Sequence, residues 1–255
     1  MSRVVLITGG SRGIGLATAK AFLREGDRVV INYRRDSDQA KRALDALQES
    51  GDRDCVMAVQ ADVSIPSDRE SMVDTILEEW GHIGVLVNNA GIAGKKGFLK
   101  ETEEDFEATI RNNLTGPVHL AQRVAKDMID REIGGSIINV CSTAAYSASS
   151  GTASYCAAKA GLLIATKNMA YTLGPYGIRV NSVTPGGIET DMSRHAWNDP
   201  ARGPALAKAL PLRRRGQPNE VAGAIVYLAS EHASYTTGTD IIVDGGWMLR
   251  AGGST

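Results

Sequence analysis

The chain has 255 residues, and its 28 Lys and Arg against 29 Asp and Glu leave a formal net charge of −1. That balance excludes the basic footprint of a nucleic-acid-binding protein, while the length admits a sizeable core. Cys55, Cys141 and Cys156 form no C-x-x-C, and His82, His119, His195 and His232 lack metal-ligand spacing, so neither a disulfide framework nor a metal site is expected.

The first predicted strand, Val4–Thr8, has no basic-then-apolar leader ahead of it, and no apolar run approaches a membrane span. A soluble cytoplasmic protein with no membrane and no nucleic-acid partner is expected. Helix Gly13–Glu25 follows, with Ala17, Ala21 and Phe22 on one side, then strand Arg28–Tyr33 and amphipathic helix Ser37–Ser50, stopped by Gly51. Strand Cys55–Gln60 precedes helix Pro66–Trp80, with proline in its first turn. Strand Val85–Asn88 leads into helices Glu103–Asn112 and Gly116–Arg131. Strand Ser136–Cys141 and the long helix Ser154–Leu173, ended by Gly174-Pro175, come next, followed by strands Arg179–Thr184 and Asp240–Val243.

These apolar runs are continuous rather than alternating, as in strands covered on both faces. Strand–helix–strand alternation means a parallel sheet with right-handed crossovers. The predicted fold is one α/β domain over residues 1–255, a doubly wound Rossmann-type parallel sheet of about seven strands with helices on both faces. The irregular stretch 186–211, broken by Pro200, Gly203 and Pro204, follows a strand's carboxyl end. A substrate lid is expected there, over roughly 187–212.

Directly after the first strand lies Thr8-Gly9-Gly10-Ser11-Arg12-Gly13-Ile14-Gly15. Glycines let the backbone turn sharply and admit a pyrophosphate, and the helix N-terminus behind them offers free N–H groups and a positive dipole end. The spacing is G-x-x-x-G-x-G, not the common G-x-G-x-x-G. About twenty residues further on, NAD binders place an acid for the ribose 2′-OH. This chain has Asn32-Tyr33-Arg34-Arg35 there, and no carboxylate until Asp36. With Arg12 in the turn, a guanidinium pair is available for a 2′-phosphate, so NADP(H) is preferred over NAD(H).

Between Ser142 and Lys159 the chain sets a hydroxyl at the end of an apolar run, then a small-residue loop, then Tyr155 and Lys159 in an alanine-rich helix. At this spacing phenol and ammonium share a helix face. A cation beside a phenol stabilises the phenolate, as proton-transfer catalysis requires.

Together the residues resemble the short-chain dehydrogenase/reductase family over nearly the whole chain. Five elements stand in family order: Thr8–Gly15, Asp62-Val63, Asn88-Asn89-Ala90-Gly91, Ser142 with Tyr155-x-x-x-Lys159, and Pro185-Gly186. Asn113 matches the asparagine of the family's catalytic tetrad. The resemblance implies an enzyme that interconverts a carbonyl and a secondary alcohol, with Tyr155 as general acid or base and Lys159 supporting it and holding the nicotinamide ribose. Ser142 would bond the substrate oxygen, and Asn113 would hold a water linking Lys159 to solvent. Cofactor contacts are expected from Gly9, Ser11, Arg12, Gly13, Ile14 and Gly15, from Tyr33 and Arg34, and from Asp62 and Val63 at the adenine. Asn89, Ala90 and Gly91 would flank the ribose, and Pro185, Gly186, Ile188 and Thr190 the carboxamide.

The overall wording is most similar to 3-oxoacyl-carrier-protein reductases and to sugar dehydrogenases near them. Carrier-protein reductases usually place an arginine before the glycine that opens the sixth strand. Here Tyr176 precedes Gly177, and Arg131 lies in a loop with Glu132 that is one residue longer. A sugar or other alcohol is therefore the alternative small-molecule substrate. The resemblance also implies a homotetramer. A cofactor-sensing scaffold on the same fold would lack the tyrosine, lysine or serine, and all three are present. Arg213-Arg214-Arg215 reads as a solvated face, His195 and Trp197 as pocket-lining lid residues, and Cys141 and Cys156 as small buried filler.

Overall fold

The computed structural model describes residues 2–49, 53–94, 96–148 and 153–249. Among them, seven strands form one parallel sheet: β1 (Val4–Ile7), β2 (Arg28–Tyr33), β3 (Val56–Gln60), β4 (Val85–Asn88), β5 (Gly135–Val140), β6 (Ile178–Pro185) and β7 (Asp240–Val243). Their spatial order is β3-β2-β1-β4-β5-β6-β7. Strand order therefore reverses between β1 and β4, which opens a crevice at the carboxyl ends there.

Both faces are covered. Val5, Ile7, Val29 and Ile31 point to one face with Phe22 of α1 (Gly13–Arg24), Leu47 of α2 (Ser37–Gln48) and Ile225 of α9 (Pro218–Ala229). Val4, Leu6 and Val30 point to the other, against α3 (Pro66–Trp80), α5 (Gly116–Asp130) and α6 (Ala153–Leu173). This two-sided burial is why the strands read as unbroken apolar runs.

Every strand expected from the sequence is present, within a residue or two at its ends. The expected end of the second helix at Ser50 lies outside the described residues. Three differences have physical reasons. The helices expected at Glu103–Asn112 and Gly116–Arg131 form α4 (Glu103–Ile110) and α5, joined without a break by a π-helical turn at Arg111–Thr115. The 186–211 stretch, expected to be irregular, contains α7 (Arg194–Trp197) and α8 (Arg202–Ala209). Helix α9 has no counterpart in the sequence reading, although Pro218 in its first turn and a Gln217–Glu220 capping box mark its start. Its buried face mixes Val221, Ile225 and Leu228 with small Ala222 and Ala229, which blurs the helical period.

One layer beneath the carboxyl edge, the apolar strands carry a row of polar residues in register: Asn88, Asn139, Ser182 and Asp240. Residues paired across a sheet share a face. Asn88 Nδ2 donates to Asn139 Oδ1 over 2.9 Å and to Pro117 O of α5 over 3.0 Å. Asn139 Nδ2 donates to Thr166 Oγ1 of α6 over 2.9 Å, and Ser182 Oγ to Asp240 Oδ1 over 2.6 Å. Asn139 is fully buried, so Asn139→Ala leaves two polar side chains short of a partner in a dry interior. A loss of about 2–4 kcal/mol in urea unfolding is expected, against under about 0.5 kcal/mol for an exposed control such as Lys126→Ala.

Candidate active site

The glycine turn between β1 and α1 is a cradle by construction. Gly9 has φ +63°, and a Cβ on Gly15 would come within 2.4 Å of Gly9 O. Only glycine allows that approach of turn to helix. Thr8 and Asn89 fasten the turn to β4 across the crevice: Thr8 Oγ1 accepts from Asn89 N and Ala90 N, each over 3.0 Å, and Asn89 Nδ2 donates to Thr8 O and Gly9 O. Buried Asn32 donates to Ala61 O over 3.0 Å, and half-buried Gln39 donates to Ser11 O over 3.1 Å. The residues present thus fit a phosphate group lying over the first turn of α1.

At the end of β2, a cleft of about 490 Å³ is lined by Arg34, Arg35, Gln60, Asp62 and Ser67, among others. Arg34 Nη1 lies 3.7 Å from Asp62 Oδ2. Asp62 also caps its own turn, accepting from Ser64 N and Ser64 Oγ over 2.9 and 2.7 Å. Burial alone would lift its carboxyl, but the Ser64 hydrogen bonds and the Arg34 and Arg35 guanidiniums outweigh that and hold it below the ordinary value. Val63 is held by buried Arg69, whose Nη1 donates to Val63 O over 2.8 Å. Arg12 is not brought to Arg34. Its guanidinium faces Asp191, shortly after β6, 3.7 Å away, while Gly13 packs against Thr190.

The residues expected to move the proton converge at the far end of the crevice. Lys159 is buried, with 4 % of its surface exposed, and Nζ donates to Val140 O over 2.7 Å. Its Nζ stands 5.9 Å from the centroid of the Tyr155 ring. Asn113 lies in the π-turn, a geometry that often marks a functional position. Both ends of its amide go to one residue: Oδ1 accepts from Ile92 N over 2.9 Å, and Nδ2 donates to Ile92 O over 2.8 Å. Gly91 sits between the two, since a Cβ there would lie 2.7 Å from Asn113 Oδ1 and 3.8 Å from Lys159 Nζ. Ser142 caps a single 3₁₀ turn, Thr143–Ala145, accepting from Ala144 N over 3.2 Å.

Beyond β6 the chain closes a stem. Ile188 bridges Gly216, Gly216 N donates to Gly187 O over 2.9 Å, and Arg215 Nη2 lies 2.8 Å from Glu189 Oε1. Gly186 packs on Asp244, and Gly187 lies under the Trp197 ring, where a Cβ would come within 2.4 Å of Cζ2. Trp197, expected to line a pocket, therefore seals the root of this excursion. The side chain of His195 lies outside the described residues. The arginine run is largely consumed locally. Arg214 grips Glu220 with two hydrogen bonds and holds that carboxyl down at about 2, while Arg213 Nη1 donates to Lys208 O.

A family model described as Enoyl-(Acyl carrier protein) reductase matches residues 9–248. A 3-oxoacyl-[acyl-carrier-protein] reductase of Synechocystis is 40 % identical, over 97 % of this chain and 98 % of that protein. An L-rhamnose-1-dehydrogenase of Scheffersomyces stipitis is 36 % identical over 97 % of this chain and 96 % of that protein. Among solved structures, a short-chain type dehydrogenase/reductase from Mycobacterium marinum superposes with a TM-score of 0.89 at 36 % identity, covering 96 % of this chain and 95 % of that one. An actinorhodin polyketide ketoreductase variant with NADPH gives 0.90 at 32 % identity, over 96 % and 97 %. The chain belongs to the short-chain dehydrogenase/reductase family. As a member it is an oxidoreductase acting on CH–OH and C=O groups.

Sequence reasoning missed several residues that build this short-chain dehydrogenase site. Glu101 reaches the first turn of α6, accepting from Ser154 Oγ and, over 3.3 Å, from Ser154 N, immediately before Tyr155. Nothing in its neighbourhood announced this, because the Thr102–Asp105 capping box beside it accounts for the local acids. Asn139 is visible as a polar residue inside an apolar run, whereas the burial of Arg69 has no mark in the polar stretch Ser67-Asp68-Arg69-Glu70-Ser71. Cys141 behaves as expected for filler: burial pushes its thiol up to about 12, so it stays a thiol. In the glycine cradle, Gly15→Ala must displace the Gly9 carbonyl. A destabilisation of about 1–3 kcal/mol is expected, with cofactor binding by calorimetry weakened at least about tenfold.

Proposed function

We propose that this protein is an NADP(H)-dependent carbonyl reductase and secondary-alcohol dehydrogenase in which Ser142, Tyr155, Lys159 and Asn113 carry the proton chemistry. The observation that carries the proposal is the buried Lys159 ammonium, set between the Tyr155 ring and the Gly91–Asn113 contact at the carboxyl edge of the sheet. The nicotinamide, when bound, supplies or accepts the hydride. The pyrophosphate would lie over Gly9–Gly15, the adenine side against Asp62 and Val63, and the ribose and carboxamide beside Asn89–Gly91, Pro185, Gly186, Ile188 and Thr190.

In reduction, Tyr155 donates its phenolic proton to the substrate oxygen as that oxygen gains charge. Lys159 stabilises the phenolate left behind. Val140 O takes one N–H of the ammonium, leaving others for ribose hydroxyls. The Ser142 oxygen already accepts from Ala144 N, so its own hydrogen is free to donate to the substrate oxygen, a contact that strengthens in the transition state. Asn113 fixes the Gly91–Ile92 backbone beside Lys159, along which water returns the spent proton. Oxidation runs the same steps in reverse.

Arg34 supports NADP(H), because it stands with Arg35 at the end of β2 where a 2′-phosphate would fall, and Asp62 orients it. A 3-oxoacyl thioester is the first substrate reading, supported by the likeness to carrier-protein reductases. The second, a sugar, polyol or other alcohol, is favoured by two observations: Arg131 is already paired with Asp127 over 2.8 Å, and exposed Tyr176 stands where those reductases usually have an arginine. The 187–212 excursion would act as the substrate lid of a single domain. Exposed Ile164 and Tyr171, seven residues apart on one face of α6, support assembly into a homotetramer through that face. A cytoplasmic location accords with the reaction.

Tyr155→Phe should lower kcat by about 10²–10⁴-fold for any accepted carbonyl, with cofactor affinity retained. Near wild-type turnover would remove the mechanism. Arg34→Ala should cut the NADP-over-NAD efficiency ratio by about tenfold or more. Steady-state assays of 3-oxoacyl thioesters, aldoses and small ketones with both cofactors decide between the substrate readings.

A further inference from the structure

The Ser142 turn is held at its far end by a contact that the proton chemistry above does not use. Tyr146 closes the Thr143–Ala145 turn, and its Oη donates to Asp240 Oδ2 over 2.8 Å. Asp240 belongs to β7, so the phenol reaches from the end of β5 across β6 to the edge strand. The other carboxylate oxygen, Oδ1, accepts from Ser182 Oγ over 2.6 Å and from Thr184 Oγ1 over 2.9 Å. One carboxylate therefore collects three hydroxyls and joins the serine turn, β6 and β7. Tyr146 is 46 % exposed, yet its hydroxyl is committed. Burial and the Asp240 carboxylate push the phenol up to about 12, so it remains a donor across the working pH range.

Between the two anchors Thr143 and Ala144 are buried and Ala145 packs against the Cys141, Leu162 and Leu163 cluster, so packing seats the middle of the turn while the hydroxyl contact sets its Tyr146 end. Thr143, Ala144 and Ala145 bring small side chains, and exposed Ser147 and Ala148 follow. Tyr146 N and Ser147 N both donate to Thr143 O over 3.1 Å, so a displacement at residue 146 passes through one turn to the Ser142 cap. Ordering such a segment opposes a sizeable backbone entropy, which a charge-assisted hydrogen bond can offset.

We infer that Tyr146 and Asp240 form a clamp that sets the position of the Ser142 hydroxyl, making Tyr146 a positioning residue that touches neither substrate nor cofactor. This rests on the role proposed for Ser142. Tyr146→Phe keeps the ring and removes only the donor. Its kcat, measured with an acetoacetyl thioester or L-rhamnose as the substrate panel directs, should fall about tenfold, since small misplacements near the reacting atoms are costly. The cofactor KM should hold, and the melting temperature should drop by at most about 4 °C. In a Ser142→Ala background the same substitution should change kcat less than about twofold, because no hydroxyl remains to be placed. Asp240→Asn should lower kcat comparably and combine non-additively with Tyr146→Phe. Wild-type kcat in Tyr146→Phe, with or without a lower melting temperature, would overturn the clamp. So would an equal loss in both backgrounds. Wild-type kcat in Ser142→Ala would instead overturn the role of the serine itself.

Discussion

Polar groups set among apolar strands need partners, and here that requirement organises the carboxyl side of the sheet. Asn88, Asn139, Ser182 and Asp240 stand in register across β4, β5, β6 and β7, with Asn88 bonded to Asn139 and Ser182 to Asp240. Pro117 O ties the row to α5, Thr166 ties it to α6, and Tyr146 ties it to the serine turn. Each unmade bond in such a place costs more than a made one contributes. The row therefore restricts strand pairing and helix docking together, and α6, with Tyr155 and Lys159 in its first turns, inherits that restriction. The Lys159–Val140 O bond is the next link in the same chain, one residue above Asn139.

A second set of contacts does for the crevice what the row does for the sheet. β1 and β4 diverge at the switch point, and Thr8 and Asn89 stitch their outgoing loops together. Glycine at residues 9 and 15 then lets the turn, the start of α1 and the backbone at Ala90 lie nearly in contact. Backbone groups, unlike long side chains, arrive in place with almost no further entropy to lose. A preorganised cradle follows directly from small residues at close quarters.

Much of this was legible in the sequence. Continuous Val and Ile runs mark strands buried on both faces; the glycine turn, Asn88–Gly91 and Ser142 lie at carboxyl ends of those strands, and Tyr155 and Lys159 at the start of the helix that follows β5, so the topology brings them to one edge. Less legible was anything decided by a partner far along the chain. Glu101 meets Ser154, Tyr146 meets Asp240, and Arg12 meets Asp191 rather than Arg34, and no local period encodes such pairings. Helix α9 escaped because alanines on its apolar stripe weaken the pattern that periodicity depends on. The π-turn was hidden for a related reason: an inserted residue changes the helical count without changing residue types.

The stem formed by Gly187, Ile188, Glu189, Arg215 and Gly216 bears on how this scaffold tolerates change. Because the two ends of the intervening segment are pinned beside each other, its length enters the free energy only logarithmically. Doubling it would cost about 0.6 kcal/mol in closure entropy. Thr190, Trp197, Leu210, Pro211 and Arg214 nonetheless pack on the scaffold, so it is insertions at the mostly exposed turn 198–201 that stay nearly neutral for the sheet beneath. That region is a natural splice site, at which new surface can be exchanged while the strand register and the buried lysine stay as they are.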